Sequence, residues 1–138
     1  MKKIFIILIS ILFATPLSSL SFNIILHLMV LPESLHKDYY EYWPFWGNVL
    51  IVALYELPIY IVVAIPITLL IDFVLKLTKI TNIKKSYLFQ FFLYSLSATV
   101  FGALLASAVY INKGIFVPVT IAVHIYFHIL YYLRKRSS

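Results

Sequence analysis

The sequence predicts an all-α, polytopic membrane protein: a bundle of four transmembrane helices with both termini in the cytoplasm. Composition, the spacing of apolar stretches and the distribution of positive charge each support this class. Of the 138 residues, 63% are hydrophobic and 12% are charged. Soluble domains are about 45–50% apolar and about 25% charged, and short chains leave much of their surface exposed. Lipid is therefore the expected solvent.

Four apolar stretches are long enough to cross the hydrocarbon core, which takes about 20 helical residues. They cover residues 4–31, 49–75, 87–110 and 115–133 and form a single domain. The first stretch also fits a cleaved signal peptide, because a basic start and an apolar core precede small residues at 14–19. Apolar sequence resumes at Asn23 without a strong cleavage site, so we favour a retained span with a weak middle at Pro16.

Lysine and arginine are distributed unevenly among the connections. Nine of the eleven lie at the N-terminus, at 76–86 or after residue 133, whereas Lys37 and Lys113 lie in the other two connections. Positive residues collect on the cytoplasmic side of membrane proteins, near anionic lipid. The alternation predicts that both termini are cytoplasmic. It also indicates that the basic residues meet lipid headgroups and not nucleic acid.

Two acids, Glu56 and Asp72, lie inside the second apolar stretch together with Pro58 and Pro66. A charge at the centre of a span costs roughly 2.5–3.5 kcal/mol on insertion scales, so each acid needs an explanation. Asp72 lies one turn before Lys76, and an i,i+4 ion pair at the membrane surface accounts for it. At about 100° per residue, the two acids lie about 160° apart on a straight helix. They can line one pathway only if the helix rotates near Pro66.

Glu56 lies about two turns from the outer end of its span and shares a face with Tyr60 and Val63. One interpretation is structural: a protonated glutamic acid that hydrogen-bonds a neighbouring helix, with His27 as a candidate partner at similar depth. The other interpretation is a proton or cation site. We favour the structural interpretation and keep the second as the alternative.

The fourth stretch carries a polar stripe of Thr120, His124, His128 and Tyr131, within about 80° of one face. Such a stripe is expected to face the bundle interior. The histidine pair also offers two ligands for a metal ion. A metal site needs at least a third ligand, and Glu56 is the only deeply placed acid that could supply it. We therefore predict hydrogen bonding between helices, without a metal or cofactor.

Small residues mark one face of the third stretch, within about 140°. They are Ser95, Ala98, Thr99, Gly102, Ala103 and Ala106. Among them Ala98, Gly102 and Ala106 form a small-xxx-small ridge, which lets transmembrane helices approach closely. The ridge is expected to serve packing inside the chain or contact with another chain.

The sequence lacks patterns for nucleophilic or phosphate chemistry. Cysteine is absent, which excludes disulfides, thiolate metal sites and cysteine nucleophiles. With only three glycines there is no glycine-rich phosphate loop, and no serine lies in a Gly-x-Ser-x-Gly turn. We therefore expect no enzyme activity.

The second stretch also carries a resemblance. Its Ile65-Pro66-Ile67-Thr68 segment followed by Asp72, with the length and four-span plan, resembles uncharacterised small four-span membrane proteins of Bacillus-type bacteria. This resemblance implies an integral membrane protein and no particular activity. Length and span count are also similar to the small multidrug resistance exporters, but their essential glutamate is in the first span, where this chain has no acid.

These patterns favour a small accessory protein that binds other membrane components through its helix faces. Its partners would be the lipid bilayer and either a second copy or another membrane protein. The alternative is an oligomeric, proton-sensitive transporter or channel subunit that uses Glu56 and His124. That alternative requires an oligomer, because four short helices enclose too little volume for a large pathway.

Overall fold

The structure, a computed structural model, describes residues 2–30, 44–80, 82–108 and 116–137. In this part of the chain the backbone is helical almost throughout and contains no strand. Four helices are long and apolar enough to cross a membrane. They are α1 (Lys2–Ile25), α2 (Phe45–Thr78), α3 (Ile83–Ala108) and α4 (Phe116–Ser137). The predicted all-α class and the four apolar helices are confirmed.

The helix ends differ slightly from the predicted spans. α2 and α3 each begin four residues before the predicted starts at 49 and 87, and α4 continues past the predicted end at 133. α1 runs through Pro16 as one helix and continues into a π-helical turn, Leu26–Val30. The predicted ends at 31 and 110 and the predicted start at 115 lie outside the described residues.

α2 contains a change of helical type near its middle. Phe45–Ile59 and Ile65–Thr78 are α-helical, and Tyr60–Ala64 between them forms a π-helical turn. Pro66 lacks the backbone N–H that would donate to the carbonyl of Val62 in a regular α-helix. Val62 lies within the wider π-helical turn, so the change of helical type coincides with this missing hydrogen bond. The turn holds roughly one extra residue, which changes the register of the helix by about 100°.

This change of register brings the two acids of α2 towards one side. Their separation around the axis falls from about 160° to about 60°. Tyr60 and Thr68, which lie between Glu56 and Asp72 on this side, are buried. The rotation that lets the two acids lie on one side is therefore present, in the turn that precedes the proline.

α1 packs against α4 and against the first half of α2, and α4 packs against α3. The second half of α2 touches α3 in only a few places. The buried core is aliphatic and aromatic: Ile7, Ile11, Ala14, Tyr60, Ile71, Tyr94, Tyr126, Phe127 and Leu130. Inside it, the Tyr94 hydroxyl donates to Thr68 Oγ1 at 3.1 Å, and the Thr68 and Tyr126 hydroxyls lie 2.8 Å apart. These three hydroxyls connect α2, α3 and α4.

Asp72 is paired with Arg134 of α4. Arg134 Nη1 and Nη2 donate to the two carboxylate oxygens at 2.7 and 2.9 Å. The predicted pair with Lys76 is wrong, because a planar guanidinium from the neighbouring helix binds both oxygens at once, which a single ammonium cannot do.

The contacts between helices gather the basic residues at one end of the bundle. The Asp72–Arg134 pair joins the end of α2 to the end of α4, which carries Lys135 and Arg136. α3 begins at the same end, with Lys84 in its first turn. α1 runs antiparallel to α2, since its final residues contact the start of α2, so α1 also begins there.

Candidate functional site

Glu56 lies where α2 crosses α1, and its carboxyl is hydrogen-bonded to the Ser18 hydroxyl. Ser18 Oγ also lies 3.1 Å from the carbonyl oxygen of Thr15. A serine hydroxyl has one proton, so both contacts are satisfied together when a protonated Glu56 donates to Ser18 and Ser18 donates to Thr15. The partner of Glu56 is therefore Ser18 and not His27, whose ring lies against Phe45.

Two more polar contacts lie along the same helix pair. Ser19 Oγ donates to the carbonyl of Val49 at 2.6 Å, and Asn48 Nδ2 donates to Asn23 Oδ1 at 2.7 Å. The α1 members Ser18, Ser19 and Asn23 are all buried. We name Ser18, Ser19, Asn23, Asn48 and Glu56 the α1–α2 seam.

Sequence reasoning missed this seam. The region around Pro16 is interpreted above only as a weak middle of the first span. Ser18, Ser19 and Asn23 nevertheless fall within about 140° of one face, which is a signal for a helix contact. Polar residues on one side of a span are expected to find partners on neighbouring helices.

The predicted histidine pair forms a second polar row, between α3 and α4. Nδ1 of His124 lies 2.8 Å from the carbonyl of Thr120, and Nδ1 of His128 lies 2.7 Å from the carbonyl of His124. A carbonyl only accepts, so Nδ1 carries a proton in both rings. His124 Nε2 lies 3.0 Å from Ser95 Oγ, and His128 Nε2 lies 3.1 Å from the hydroxyl of Tyr87. Both rings therefore connect α4 to α3.

This row is open to the outside of the bundle. Thr99, Thr120 and His128 are exposed, and His124 and Ser95 are half-buried. We name Tyr87, Ser95, Thr99, Thr120, His124 and His128 the α3–α4 seam. The prediction that the stripe faces the bundle interior is wrong for the two exposed members on α4. The interior face of α4 is occupied by aromatic and aliphatic side chains, namely Tyr126, Phe127 and Leu130.

The small-residue ridge of α3 lies partly inside the chain. Ala98 and Gly102 are buried, and Ala106 is half-buried. A Cβ atom on Gly102 would lie 2.8 Å from Cδ1 of Phe116. The glycine therefore allows the first turn of α4 to lie close against α3.

A cleft of about 210 Å³ lies between α2, α3 and α4. Its walls are mainly apolar: Ile59, Val63, Ala64, Ile67, Phe101, Leu105, Pro118, Val119, Ala122 and Val123. Glu56, Tyr60 and Val63 all line it, as their shared face predicts, but the Glu56 carboxyl is bonded to Ser18. The Tyr60 hydroxyl donates to the carbonyl of Ala122 at 2.8 Å. The cleft therefore offers mainly apolar contact.

The structure does not bring the predicted proton or cation site together. Glu56 is bonded to α1, whereas His124 and His128 are bonded to α3 and do not line the cleft. Within the described ranges, no hydrogen bond or ion pair joins Glu56 to either histidine. No group of three histidine, aspartate or glutamate side chains that could hold a metal ion occurs among the residues described.

No family model matches this chain, and no curated protein and no solved structure gives a significant match. The resemblance to small four-span proteins of Bacillus-type bacteria stays a prediction. The two seams and the cleft are therefore the features from which a function can be inferred. Of these, the α3–α4 seam is the one whose polar groups face outward.

Proposed function

We propose that this protein is a small accessory protein of the bacterial cytoplasmic membrane, which binds other membrane components through its helix faces and is not an enzyme. Both termini lie in the cytoplasm in this proposal. The basic residues gathered at one end of the bundle support that orientation. The observation that best supports a binding role is the α3–α4 seam, a polar row exposed on the outside of apolar helices.

The depth of the seam makes its exposure unfavourable in lipid. His124 lies eight residues, or about 12 Å, from the start of α4 at Phe116, which is near the middle of the helix. Ionisable side chains within spans almost always face protein or water, because hydrocarbon cannot solvate them. A protein surface that covers the seam removes this cost. The exposed His128 and Thr120 therefore favour a protein partner at this face.

The remaining outer surface shows what a lipid-facing region of this chain looks like. Many of its exposed side chains are large and apolar, among them Leu50, Leu54, Leu70, Leu88 and Leu104. Such side chains contact acyl chains without cost. This contrast within one bundle supports lipid as the neighbour of the apolar surface and protein as the neighbour of the α3–α4 seam.

A photo-reactive amino acid introduced at Thr120, with a matched control at Leu50, tests this proposal. Both positions are exposed, and they lie four and five residues from the starts of their helices. After illumination of intact membranes, the probe at Thr120 should capture protein and the probe at Leu50 should capture lipid. Capture of lipid alone at both positions would contradict a binding role for the seam.

The alternative function is an oligomeric, proton-sensitive transporter or channel subunit. A carboxyl within a span favours it, since intramembrane acids often mark ion pathways. Its two residues, Glu56 and His124, are bonded to different helices, so they would have to act at separate points of a pathway. A pH-jump flux assay in liposomes would separate the two functions. Flux that Glu56→Gln and His124→Ala both abolish supports transport, and flux unchanged by either variant contradicts it.

A further inference from the structure

We propose that a second copy of this chain covers the α3–α4 seam, packed about a two-fold axis normal to the membrane. This inference rests on the proposed function, because it names the partner at the same face. Three observations on the described residues carry it: the levels at which the polar groups lie, the absence of charge on this face, and a hydroxyl without a hydrogen bond.

The polar groups of the seam lie at three successive levels. Ser95 is beside His124, and His128 is beside Tyr87 one turn closer to the basic end. Because the two helices are antiparallel, Thr99 and Thr120 lie at a common level one turn the other way. The seam therefore runs along more than two turns of both helices.

A second copy of the chain carries the same polar groups at the same depths in the membrane. Nine of the eleven lysines and arginines lie in the segments predicted on the cytoplasmic side, so all copies are expected to insert in the same orientation. Two copies in the same orientation are related by an axis along the membrane normal. At such an interface a patch meets itself, and each residue meets groups at its own depth. Polar groups of one copy then lie against polar groups of the other.

The face also lacks charges that would repel an identical surface. Residues 86–108 of α3 and residues 116–133 of α4 include no lysine, arginine, aspartate or glutamate. The seam consists of hydroxyls, which both donate and accept hydrogen bonds, and of imidazoles. A surface that carries both donors and acceptors is complementary to itself.

The Thr120 hydroxyl provides the most specific observation. Every other serine and threonine side chain in the described part of the chain takes part in a hydrogen bond, and that of Thr120 takes part in none. Thr99, at the same level, already donates to the carbonyl of Ser95 at 3.0 Å and keeps oxygen lone pairs. Across a two-fold axis, Thr120 of one copy has an acceptor in Thr99 of the other.

Single-cysteine crosslinking tests this interface, because the natural chain has no cysteine that would interfere. Thr120→Cys places a thiol in the seam, and Leu50→Cys places one on the exposed apolar face of α2. With a short bis-maleimide crosslinker, which joins two thiols that are close but not in contact, we expect a covalent dimer from Thr120→Cys in liposomes at a low protein-to-lipid ratio. Its yield should exceed that from Leu50→Cys by about tenfold, as expected for a specific helix contact.

Two results would overturn the inference: equal dimer yields from the two variants, or no dimer from Thr120→Cys in a protein that remains folded by helix content. The photo-reactive probe at Thr120 separates this failure from that of the proposed function. Capture of a different membrane protein, without dimer, overturns the second copy and leaves the accessory role standing. Capture of lipid alone would contradict both the second copy and the accessory role.

Discussion

The α1–α2 seam and the α3–α4 seam are both rows of polar side chains and differ in what covers them. In the first, Ser18, Ser19 and Asn23 are at most 1% exposed, and their partners belong to the neighbouring helix. In the second, His128 and Thr120 face outward. A covered polar row thus holds the helices of one chain together. An open polar row within a span calls for another molecule.

The difference has a physical basis in the solvent. Helices in a bilayer gain little from the hydrophobic effect when they associate, so packing and polar contacts decide which faces meet. A hydrogen bond between spans contributes on average about 0.6 kcal/mol, and a polar group left without a partner in hydrocarbon costs several times more. Substitutions in the α1–α2 seam should therefore change the stability of the monomer. Substitutions in the α3–α4 seam should change association.

The largest effect is expected for Asn23→Leu, which keeps side-chain size and removes the hydrogen bond with Asn48. We expect the free energy of unfolding to fall by about 2 kcal/mol, because a buried polar contact between helices is lost. Denaturant titration in detergent micelles, followed by helix content, measures this change. Ser21→Ala is the matched control, since Ser21 bonds only the carbonyl of Leu17 in its own helix. Equal stability of Asn23→Leu and Ser21→Ala would show that the α1–α2 seam does not hold the helices.

A smaller effect is expected at Glu56, where two variants separate the structural role from an ionic one. Glu56→Leu should lower the free energy of unfolding by about 1 kcal/mol, because the contact with Ser18 is lost. Glu56→Gln should stay close to the wild type, because its amide can donate to Ser18 as a protonated carboxyl does. The same denaturant titration measures both. If the glutamine variant were as unstable as the leucine variant, Glu56 would not be a protonated packing residue.

Much of this fold follows from the sequence, because hydropathy and helical periodicity are local. The four apolar helices were predictable from stretches of about 20 residues, and the shared face of Glu56, Tyr60 and Val63 follows from 100° per residue. The position of Pro66 indicates where α2 can change its register. Periodicity could not give the π-helical turn itself, which depends on how the freed carbonyl before the proline is accommodated.

The partners of polar residues were not predictable in the same way. Asp72 was assigned to Lys76 by a rule for neighbours on one helix, whereas its partner, Arg134, is 62 residues away. Glu56 and Ser18 are 38 residues apart. Such pairs depend on which helix faces pack together. In lipid, most faces of these helices are apolar, so hydropathy does not determine which face packs against which neighbour. Spacing therefore predicts that a polar residue needs a partner, but packing decides which one it has.

The smallest effect on the monomer is expected for Thr99→Val, which removes one hydroxyl from the open seam and keeps the shape of the side chain. Its hydrogen bond lies at the surface and within its own helix, so the free energy of unfolding should change by less than about 0.5 kcal/mol. In the otherwise unchanged protein, however, self-association measured by analytical ultracentrifugation in detergent micelles should weaken about threefold, because the acceptor proposed for the Thr120 hydroxyl is lost. Ser107→Ala, at an exposed position further along α3, is the control and should leave both quantities unchanged. Self-association unaffected by Thr99→Val would remove Thr99 from the interface. A large loss of monomer stability would mean that the α3–α4 seam, like the α1–α2 seam, serves the fold.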